Sequence, residues 1–316
     1  MVNNATTSHR ALGFALAALA AAAYGTNPAF AVPLYADGMN PNSVLMFRYL
    51  LGLPLLAALM AWRGVGFALT RRQTGLTALL GLLMALSSLG LFESYRYMNS
   101  GVASTLLFVY PIMVAVIMVF VCHERLQPSV ALCLAIMGAG LWLLMKPAGN
   151  APVSLTGFLL VMISSLTYAL YIVFVNTSAT ARAIPTTKLL FYVLIWGCAI
   201  FGALIPAGMP LTVPSHSAGW LNLAALAVIP TVLSLGCTTR AIQLIGSTPT
   251  AILGALEPVV AVALSIVVLG QSITGYEIAG ATLIVVSATL VVCDRAVNAY
   301  ILRAARMFPR RRSHKS

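Results

Sequence analysis

Residues 156–178 read TGFLLVMISSLTYALYIVFVNTS, a run without one Asp, Glu, Lys or Arg. A helix needs about 20 predominantly apolar residues to cross the hydrocarbon core of a bilayer. Hydrocarbon offers no hydrogen-bond partner to peptide groups, so a single segment can cross it only as a helix. The stretch therefore predicts a membrane-spanning helix.

Other stretches of the chain have the same apolar character and a similar length. They are residues 11–35, 42–62, 74–97, 101–122, 128–146, 187–208, 219–240, 248–269 and 275–293. The whole chain is 60% hydrophobic and 8% charged, whereas a soluble domain carries about 25% charged residues. The sequence thus predicts an all-α membrane protein with ten transmembrane helices.

Lysine and arginine are distributed unevenly between the two sides of the predicted bundle. With the N-terminus in the cytoplasm, most of the 18 Lys and Arg residues fall on cytoplasmic segments, where positive charge is retained during insertion. The protein is therefore expected in the cell inner (cytoplasmic) membrane, with both termini on the cytoplasmic side. This topology accounts for the net charge of +12, so nucleic acid is not expected as a partner. The tail, residues 294–316, is basic and amphipathic, which predicts binding to anionic lipid.

The second half of the chain resembles the first. Gly13-Phe14 matches Gly157-Phe158, Tyr24 matches Tyr168, and Pro111 matches Pro258. Each predicted unit has five helices, an odd number, so the second unit enters the membrane from the opposite side. Two inverted five-helix repeats are an architecture of secondary transporters. The predicted organisation is a cytoplasmic N-terminus (1–10), a first repeat (11–146), a linker (147–155), a second repeat (156–293) and the cytoplasmic tail (294–316).

One motif occurs in both units: an apolar helix containing proline, a polar turn, and an apolar helix containing glycine. It runs from Tyr110 to Leu126 followed by Gly138-Ala139-Gly140, and from Leu256-Glu257-Pro258 to Gln271 followed by Gly280. Together with Arg48 in the second span, this pattern resembles the EamA-type permeases of the drug/metabolite transporter superfamily. One departure is that the usual Leu-Gly-Glu of the second repeat reads Leu269-Gly270-Gln271.

The resemblance covers about residues 11–293. It implies a ten-helix carrier that moves small metabolites and often exports amino acids or related compounds. The specific substrate does not carry over, because members of the family differ widely in what they transport.

Charged residues inside a bilayer are costly, about 2.5–3.5 kcal/mol each on insertion scales, so their positions are informative. Arg48, Glu93 and Arg96 fall in the outer half of the predicted bundle. In a functional interpretation they line a polar cavity, with Arg48 holding a substrate carboxylate. Alternatively, Glu93 neutralises Arg96 or Arg48 and fixes the helices together.

Glu257 is the carboxylate predicted to lie deepest in the membrane, and Pro258 follows it. A carboxyl group at that depth is a candidate for binding a coupling proton or a substrate amine. The structural alternative is an ion pair with Arg240 or a role at a helix kink. Tyr110 occupies the equivalent position in the first half and offers a hydroxyl group instead of a charge.

Aromatic and amide side chains cluster in the first span and in its repeat partner, the sixth. Tyr24 and Asn27 lie in the first, and Tyr168 and Tyr171 in the sixth. Aromatic surfaces with a few polar groups suit a small amphipathic solute. Packing and hydrogen bonds between helices are the alternative role.

The sequence lacks the Gly-x-x-x-x-Gly-Lys-Ser/Thr motif of ATP-driven pumps. It has no Asp-rich Mg²⁺ motif or His-rich cluster, so no catalytic residue, metal site or cofactor is predicted. The favoured function is secondary transport of a small-molecule solute by a monomer or homodimer. A membrane-embedded lipid-modifying enzyme is the alternative.

Overall fold

A computed structural model describes residues 2–97, 103, 106–121, 123, 127–144, 154–254, 256, 257, 259, 260, 263 and 275–292. Within these ranges every regular element is helical, so the prediction of an all-α fold is confirmed. The helices are α1 (Val2–Gly25), α2 (Asn27–Ala36), α3 (Pro41–Trp62), α4 (Arg71–Ser94), α5 (Tyr110–Phe120), α6 (Pro128–Leu144), α7 (Leu155–Thr177), α8 (Ala179–Ala183), α9 (Thr186–Ala203), α10 (Ser217–Leu226), a π-helical segment (Ala227–Leu233), α11 (Ser234–Ile245), α12 (Ser247–Gly254) and α13 (Gly275–Val292).

Six helices in the described part of the chain are long and apolar enough to cross a membrane. They are His9–Ala36, Pro41–Trp62, Arg71–Ser94, Leu155–Thr177, Thr186–Ala203 and Ser217–Ile245. Shorter apolar helices cover Tyr110–Phe120, Pro128–Leu143 and Ile278–Ser287. The protein is therefore a helical membrane protein.

Side-chain caps decide where several helices begin. Thr70 accepts a hydrogen bond from the backbone N–H of Gln73, whose side chain accepts one from the backbone N–H of Thr70. This capping box starts α4 at Arg71, three residues before the predicted start at 74. Asn40 caps α3 by accepting from the Ser43 N–H at 2.8 Å. Polar residues just ahead of an apolar run thus extend a helix beyond the apolar residues themselves.

Two spans are interrupted within the membrane. The first breaks at Thr26, between α1 and α2, where the Thr26 hydroxyl donates to the Ala23 carbonyl at 2.7 Å. The other break is the π-helical segment that joins α10 to α11 and contains Pro230. Proline has no N–H to donate and displaces the helical hydrogen-bond pattern. The hydroxyl group of Thr231 donates a hydrogen bond to the Leu226 carbonyl, five residues earlier, at 2.7 Å.

Helices of each half pack on helices of the other half in matching pairs. In the first half, α4 packs on α7 and α9 of the second. In the second half, α11 packs on α1 of the first, and the π-helical segment packs on α3. Likewise, α5 packs on α7 and α12 on α1. Three further contacts join helices at equivalent places in the two halves: α3 with α9, α5 with α12, and α6 with α13. The pairing of the helices is therefore symmetric between the halves.

Two of these matching crossings each contain a hydrogen bond from a serine hydroxyl to a backbone carbonyl. Where α7 crosses α4, the Ser164 hydroxyl donates to the Ser87 carbonyl at 2.6 Å. Where α11 crosses α1, the Ser234 hydroxyl donates to the Ala20 carbonyl at 2.9 Å. Small residues permit these close approaches, as expected for helices packed in a membrane. A Cβ atom on Gly90 of α4, for example, would stand 2.8 Å from the Leu160 carbonyl oxygen.

A network of hydrogen bonds, here called the clamp, joins the α2–α3 connection to the α9–α10 connection. The Asn40 side chain donates to the Pro210 carbonyl at 2.6 Å, and the Thr212 N–H donates to the Ser43 hydroxyl at 2.8 Å. The Asp37 carboxylate accepts from the Ser215 N–H at 2.8 Å and lies 3.0 Å from Nδ1 of His216. The clamp fixes the two halves to each other at this end of the molecule.

The contribution of the clamp to folding stability should depend on pH. Hydrogen bonds from the His216 side chain and the Ser215 backbone hold the pKa of Asp37 below its ordinary value. A carboxyl group whose pKa is lower in the folded state contributes stability at neutral pH, and that contribution is lost as the pH falls through the folded-state pKa. Asp37→Asn should therefore lower the melting temperature slightly at pH 7, and the difference from wild type should close below about pH 4.

Thermal unfolding of both proteins in the same lipid nanodiscs, measured at steps between pH 7 and pH 3, checks this. His216→Gln is the matched control, because it removes the main side-chain partner and leaves the carboxyl group. In that variant the step in stability should move toward the ordinary pKa of an aspartate. A gap between Asp37→Asn and wild type that stays constant to pH 3 would contradict the prediction.

Candidate functional site

A narrow cavity lies where helices of both halves meet. Its walls come from α1, α5, α7, α11, α12 and the residues just after α12. The lining residues are Ala17, Ala20, Ala21, Tyr24, Tyr110, Tyr168, Ile172, Ser234, Thr238, Thr250, Gly254 and Glu257. In this conformation there is room for roughly one or two water molecules. A larger solute enters only if the helices separate.

Aromatic rings and one carboxyl group dominate the polar surface of the cavity. The rings of Tyr110 and Tyr168 meet edge to face, with centroids 4.8 Å apart at 71°. Tyr168 in turn stacks on Tyr171 at 6.2 Å, with the ring planes 7° apart. Of the lining residues that the structure describes, Glu257 alone has an acidic or basic side chain of the Asp, Glu, Lys or Arg type.

Two glycines allow the chain around Glu257 to approach its neighbours. A Cβ atom on Gly25 would lie 2.9 Å from the Glu257 carbonyl oxygen and 3.0 Å from Cβ of Val260. A Cβ atom on Gly254 would overlap the Tyr110 hydroxyl, at 1.8 Å. Glycine is therefore required at both positions for α1 and α5 to pack against the backbone that carries Glu257.

The predicted alternative of an ion pair between Glu257 and Arg240 is wrong for this structure. Arg240 is exposed, near the end of α11, and its guanidinium donates to the Gln243 side chain at 3.0 Å. Helix α11 directs Ser234 and Thr238 toward the cavity instead. Pro258, predicted to shape the backbone at this point, lies outside the described residues.

Arg48 is fully buried, with 1% of its surface exposed, but it lies outside the cavity lining. Its Nε donates to the Thr231 hydroxyl at 2.8 Å, and its Nη1 donates to Oδ1 of Asn27 at 3.4 Å. The guanidinium also lies 5.6 Å from the ring centroid of Phe92 and 6.0 Å from that of Tyr49. No carboxylate in the described part of the chain forms an ion pair with it. Neutral oxygens and aromatic faces stabilise this cation.

The three residues Arg48, Asn27 and Thr231, here called the Arg48 clasp, join both helix interruptions. Asn27 is the first residue of α2, just after the break at Thr26, and Thr231 lies in the π-helical segment. Arg48 comes from α3, so the clasp ties together three spans from both halves. The Nδ2 atom of Asn27 is buried and has no hydrogen-bond partner among the described residues.

The predicted site residues therefore fall into separate groups. Tyr24, Tyr110, Tyr168 and Glu257 line one cavity. Asn27 and Arg48 belong to the clasp, so the expectation that Arg48 faces the cavity is not met in this conformation. Tyr171 is buried, with its hydroxyl 3.2 Å from that of Thr239. Glu93 pairs with Arg96 at 3.2 Å, near the exposed end of α4, and not with Arg48.

The sequence analysis missed the small polar residues of the cavity. Ser234 and Thr238 are four residues apart on α11, as are Thr250 and Gly254 on α12. Residues at this spacing share one face of a helix. That spacing was the available signal, but hydroxyl residues are too common in membrane helices for it to stand out.

No group of three His, Cys, Asp or Glu side chains is placed to hold a metal ion within the ranges that the structure describes. The tail predicted to bind anionic lipid, residues 294–316, lies outside those ranges.

Comparison with solved structures gives a related fold. A crystal structure of a protein superimposes with a TM-score of 0.72 at 20% sequence identity, and the match covers 90% of this chain and 96% of the other. At this level of identity the likeness shows the fold alone. A comparison with curated proteins gave no match.

Comparison with protein families gives a more specific result. The sequence model of the EamA-like transporter family matches this chain twice, at residues 11–146 and 155–293. These two segments coincide with the predicted repeats, and the family points to a transporter in place of the lipid-modifying enzyme considered above. The chain belongs to the EamA-like transporter family.

Proposed function

We propose that this protein is a secondary transporter that moves a small metabolite, an amino acid or related compound, out of the cell by alternating access. The observation that carries the proposal is the narrow cavity bounded by helices from both halves. Sites between two repeats, near the middle of the membrane, are typical of such carriers. Because the cavity is too narrow for a metabolite in this conformation, transport requires the halves to move apart on one side at a time.

We further propose ten spans arranged as two inverted repeats. Six long apolar helices and three shorter ones account for nine of the predicted spans, and α12 begins the remaining one. The symmetric pairing of helices between the halves supports the repeat. Five spans per repeat make the second copy enter from the opposite side of the membrane.

The proposed orientation places both termini in the cytoplasm of a cell whose inner membrane holds the protein. A topology reporter fused after Pro147 should be located outside, and one fused after Arg182 inside. Alkaline phosphatase, which is active outside, and a fluorescent protein, which matures inside, provide the two readouts. A fusion after Ser316 serves as the internal control. Exchanged locations for Pro147 and Arg182 would contradict the orientation.

We propose Glu257 as the group that binds a coupling proton. It is the acidic side chain among the described residues of the cavity lining, and a carboxyl group can take up and release a proton. Its position between α1, α5 and α12 means that movement of either half changes the exposure of this carboxyl group to water. A group exposed alternately to the two sides can load and release a proton in each cycle.

Glu257→Gln should reduce pH-gradient-driven solute flux in proteoliposomes to the background of empty liposomes, because the amide cannot take up and release the proton. Solute exchange without a gradient measures whether the variant still carries solute. A monodisperse profile in size-exclusion chromatography shows that it remains folded. Undiminished gradient-driven flux in a folded variant would rule out this role for Glu257.

For Arg48 we propose a positioning role. Both of its hydrogen bonds are made to residues at helix interruptions, and its charge is shielded by Phe92 and Tyr49. In this proposal the guanidinium fixes the angle between the segments on either side of each interruption. It thereby sets the position of Tyr24, which lies three residues before Asn27 and lines the cavity.

A double-mutant cycle tests this role. Arg48→Lys and Thr231→Val should each cost about 1 kcal/mol of stability. The double variant should cost little more than either one, because both changes break the same hydrogen bond. Thermal unfolding in nanodiscs measures the losses. Glu93→Gln is the matched control, and its effect should add to that of Arg48→Lys, since Glu93 pairs with Arg96. Additive losses for Arg48→Lys and Thr231→Val would contradict the clasp.

A further inference from the structure

Several hydroxyl groups that line the cavity already donate their protons within the protein. The Ser234 hydroxyl donates to the Ala20 carbonyl at 2.9 Å, and the Thr250 hydroxyl donates to the Gly246 carbonyl at 2.7 Å. The Tyr110 hydroxyl donates to the Ala251 carbonyl at 3.3 Å. A hydroxyl group has one proton to donate and two lone pairs to accept with. Each of these three oxygens therefore offers the cavity acceptor capacity.

The charged side chain of the cavity is also a hydrogen-bond acceptor. Glu257 contributes a carboxyl group, which in its ionised form only accepts hydrogen bonds. It shares the cavity lining with the side chains of Tyr24, Tyr110 and Tyr168. Among the described residues that line the cavity there is no Lys or Arg. Arg48 and Arg240 lie outside this lining, Arg48 bonded in its clasp and Arg240 bonded to Gln243.

The aromatic rings add a third feature. Tyr24, Tyr110 and Tyr168 all line the cavity, and Tyr110 and Tyr168 stand edge to face. The face of an aromatic ring carries negative electrostatic potential and attracts a cation. A solute with a free carboxylate and no amine would be repelled by the Glu257 carboxylate and the ring faces, and only hydroxyls such as those of Tyr24, Tyr168 and Thr238 could donate to it.

We propose that the cavity binds the protonated amino group of a small solute, with the Glu257 carboxylate as its counter-ion and the oxygens of Ser234, Thr250 and Tyr110 as acceptors. An ammonium group has three donors and no acceptor, which complements this surface. The inference rests on the proposed function, because it assumes that this cavity is where the carried solute binds. It narrows the substrate class to compounds that bear an amine.

Three four-carbon probes separate the possibilities by charge: butylammonium, butyrate and butanamide. The purified full chain in lipid nanodiscs is titrated with each, and the melting temperature is measured by tryptophan fluorescence. A ligand that binds the folded state stabilises it by RT ln(1 + L/Kd), where L is the free ligand concentration, so the melting temperature rises with the logarithm of that concentration once it exceeds Kd. Butylammonium should give a rise of this form, and the other two probes should give none.

Variants locate the effect. Glu257→Gln should weaken butylammonium binding about tenfold or more, in line with the loss of a charged hydrogen-bonding partner. Thr250→Val keeps the shape and removes one acceptor, so it should weaken binding by about threefold. If Glu257→Gln does not fold, Thr250→Val decides. Asp37→Asn is the matched control, since it removes a carboxylate from the clamp, and its butylammonium affinity should equal that of wild type.

The inference is overturned if butyrate or butanamide binds as well as butylammonium, or if butylammonium binding is the same in wild type and in the folded cavity variants. Flux of the same probes through proteoliposomes tests the proposed function separately. Flux of butyrate without binding of butylammonium would support a carrier and overturn the inference. Binding of butylammonium without flux of any probe would support the inference and count against the carrier.

Discussion

A polar group inside the bilayer can find a partner only within the protein, because hydrocarbon offers none. The hydroxyls of Ser164 and Ser234 meet this need by donating to carbonyls of neighbouring helices. Ser287 does the same across the α6–α13 contact, where it donates to the Cys133 carbonyl at 2.8 Å. Such bonds need the helix backbones to lie close together, which explains the small residues at the crossings. The packing of the bundle follows from this requirement.

The same requirement explains the two interrupted helices. An interruption leaves backbone groups without their helical partners, and the hydroxyls of Thr26 and Thr231 donate to carbonyls at the two breaks. Arg48 donates to one side chain at each interruption, to Asn27 and to Thr231. Because Tyr24 lies just before the first interruption and Ser234 just after the second, the clasp is connected through the chain to the cavity wall. A change in the angle at either interruption would move a residue that lines the cavity.

The hydrogen-bonding groups of the cavity are determined by this packing. The protons of Ser234 and Tyr110 are used in bonds between helices, and that of Thr250 in a bond to Gly246 just before its own helix, so these three oxygens keep only lone pairs for other partners. In the proposed site, the hydrogen bonds that hold the helices also leave the acceptors that a solute would meet. The carboxyl group of Glu257 and the faces of the tyrosines extend the same preference for a positively charged donor.

The sequence by itself determined the helical class, the membrane environment and the division into two related halves. These features depend on apolar runs and on the spacing of matching residues, which a linear pattern contains. It also predicted that four of the cavity residues occupy equivalent positions in the two halves, Tyr24 with Tyr168 and Tyr110 with Glu257. Only the tertiary structure decided which polar groups pair, as for Glu93 with Arg96 and Arg48 with Thr231, a residue 183 positions away. A pattern of apolar residues indicates which segment crosses the membrane, but the partners of its polar groups depend on the rotation of each helix and on the small residues that set its distance from the next.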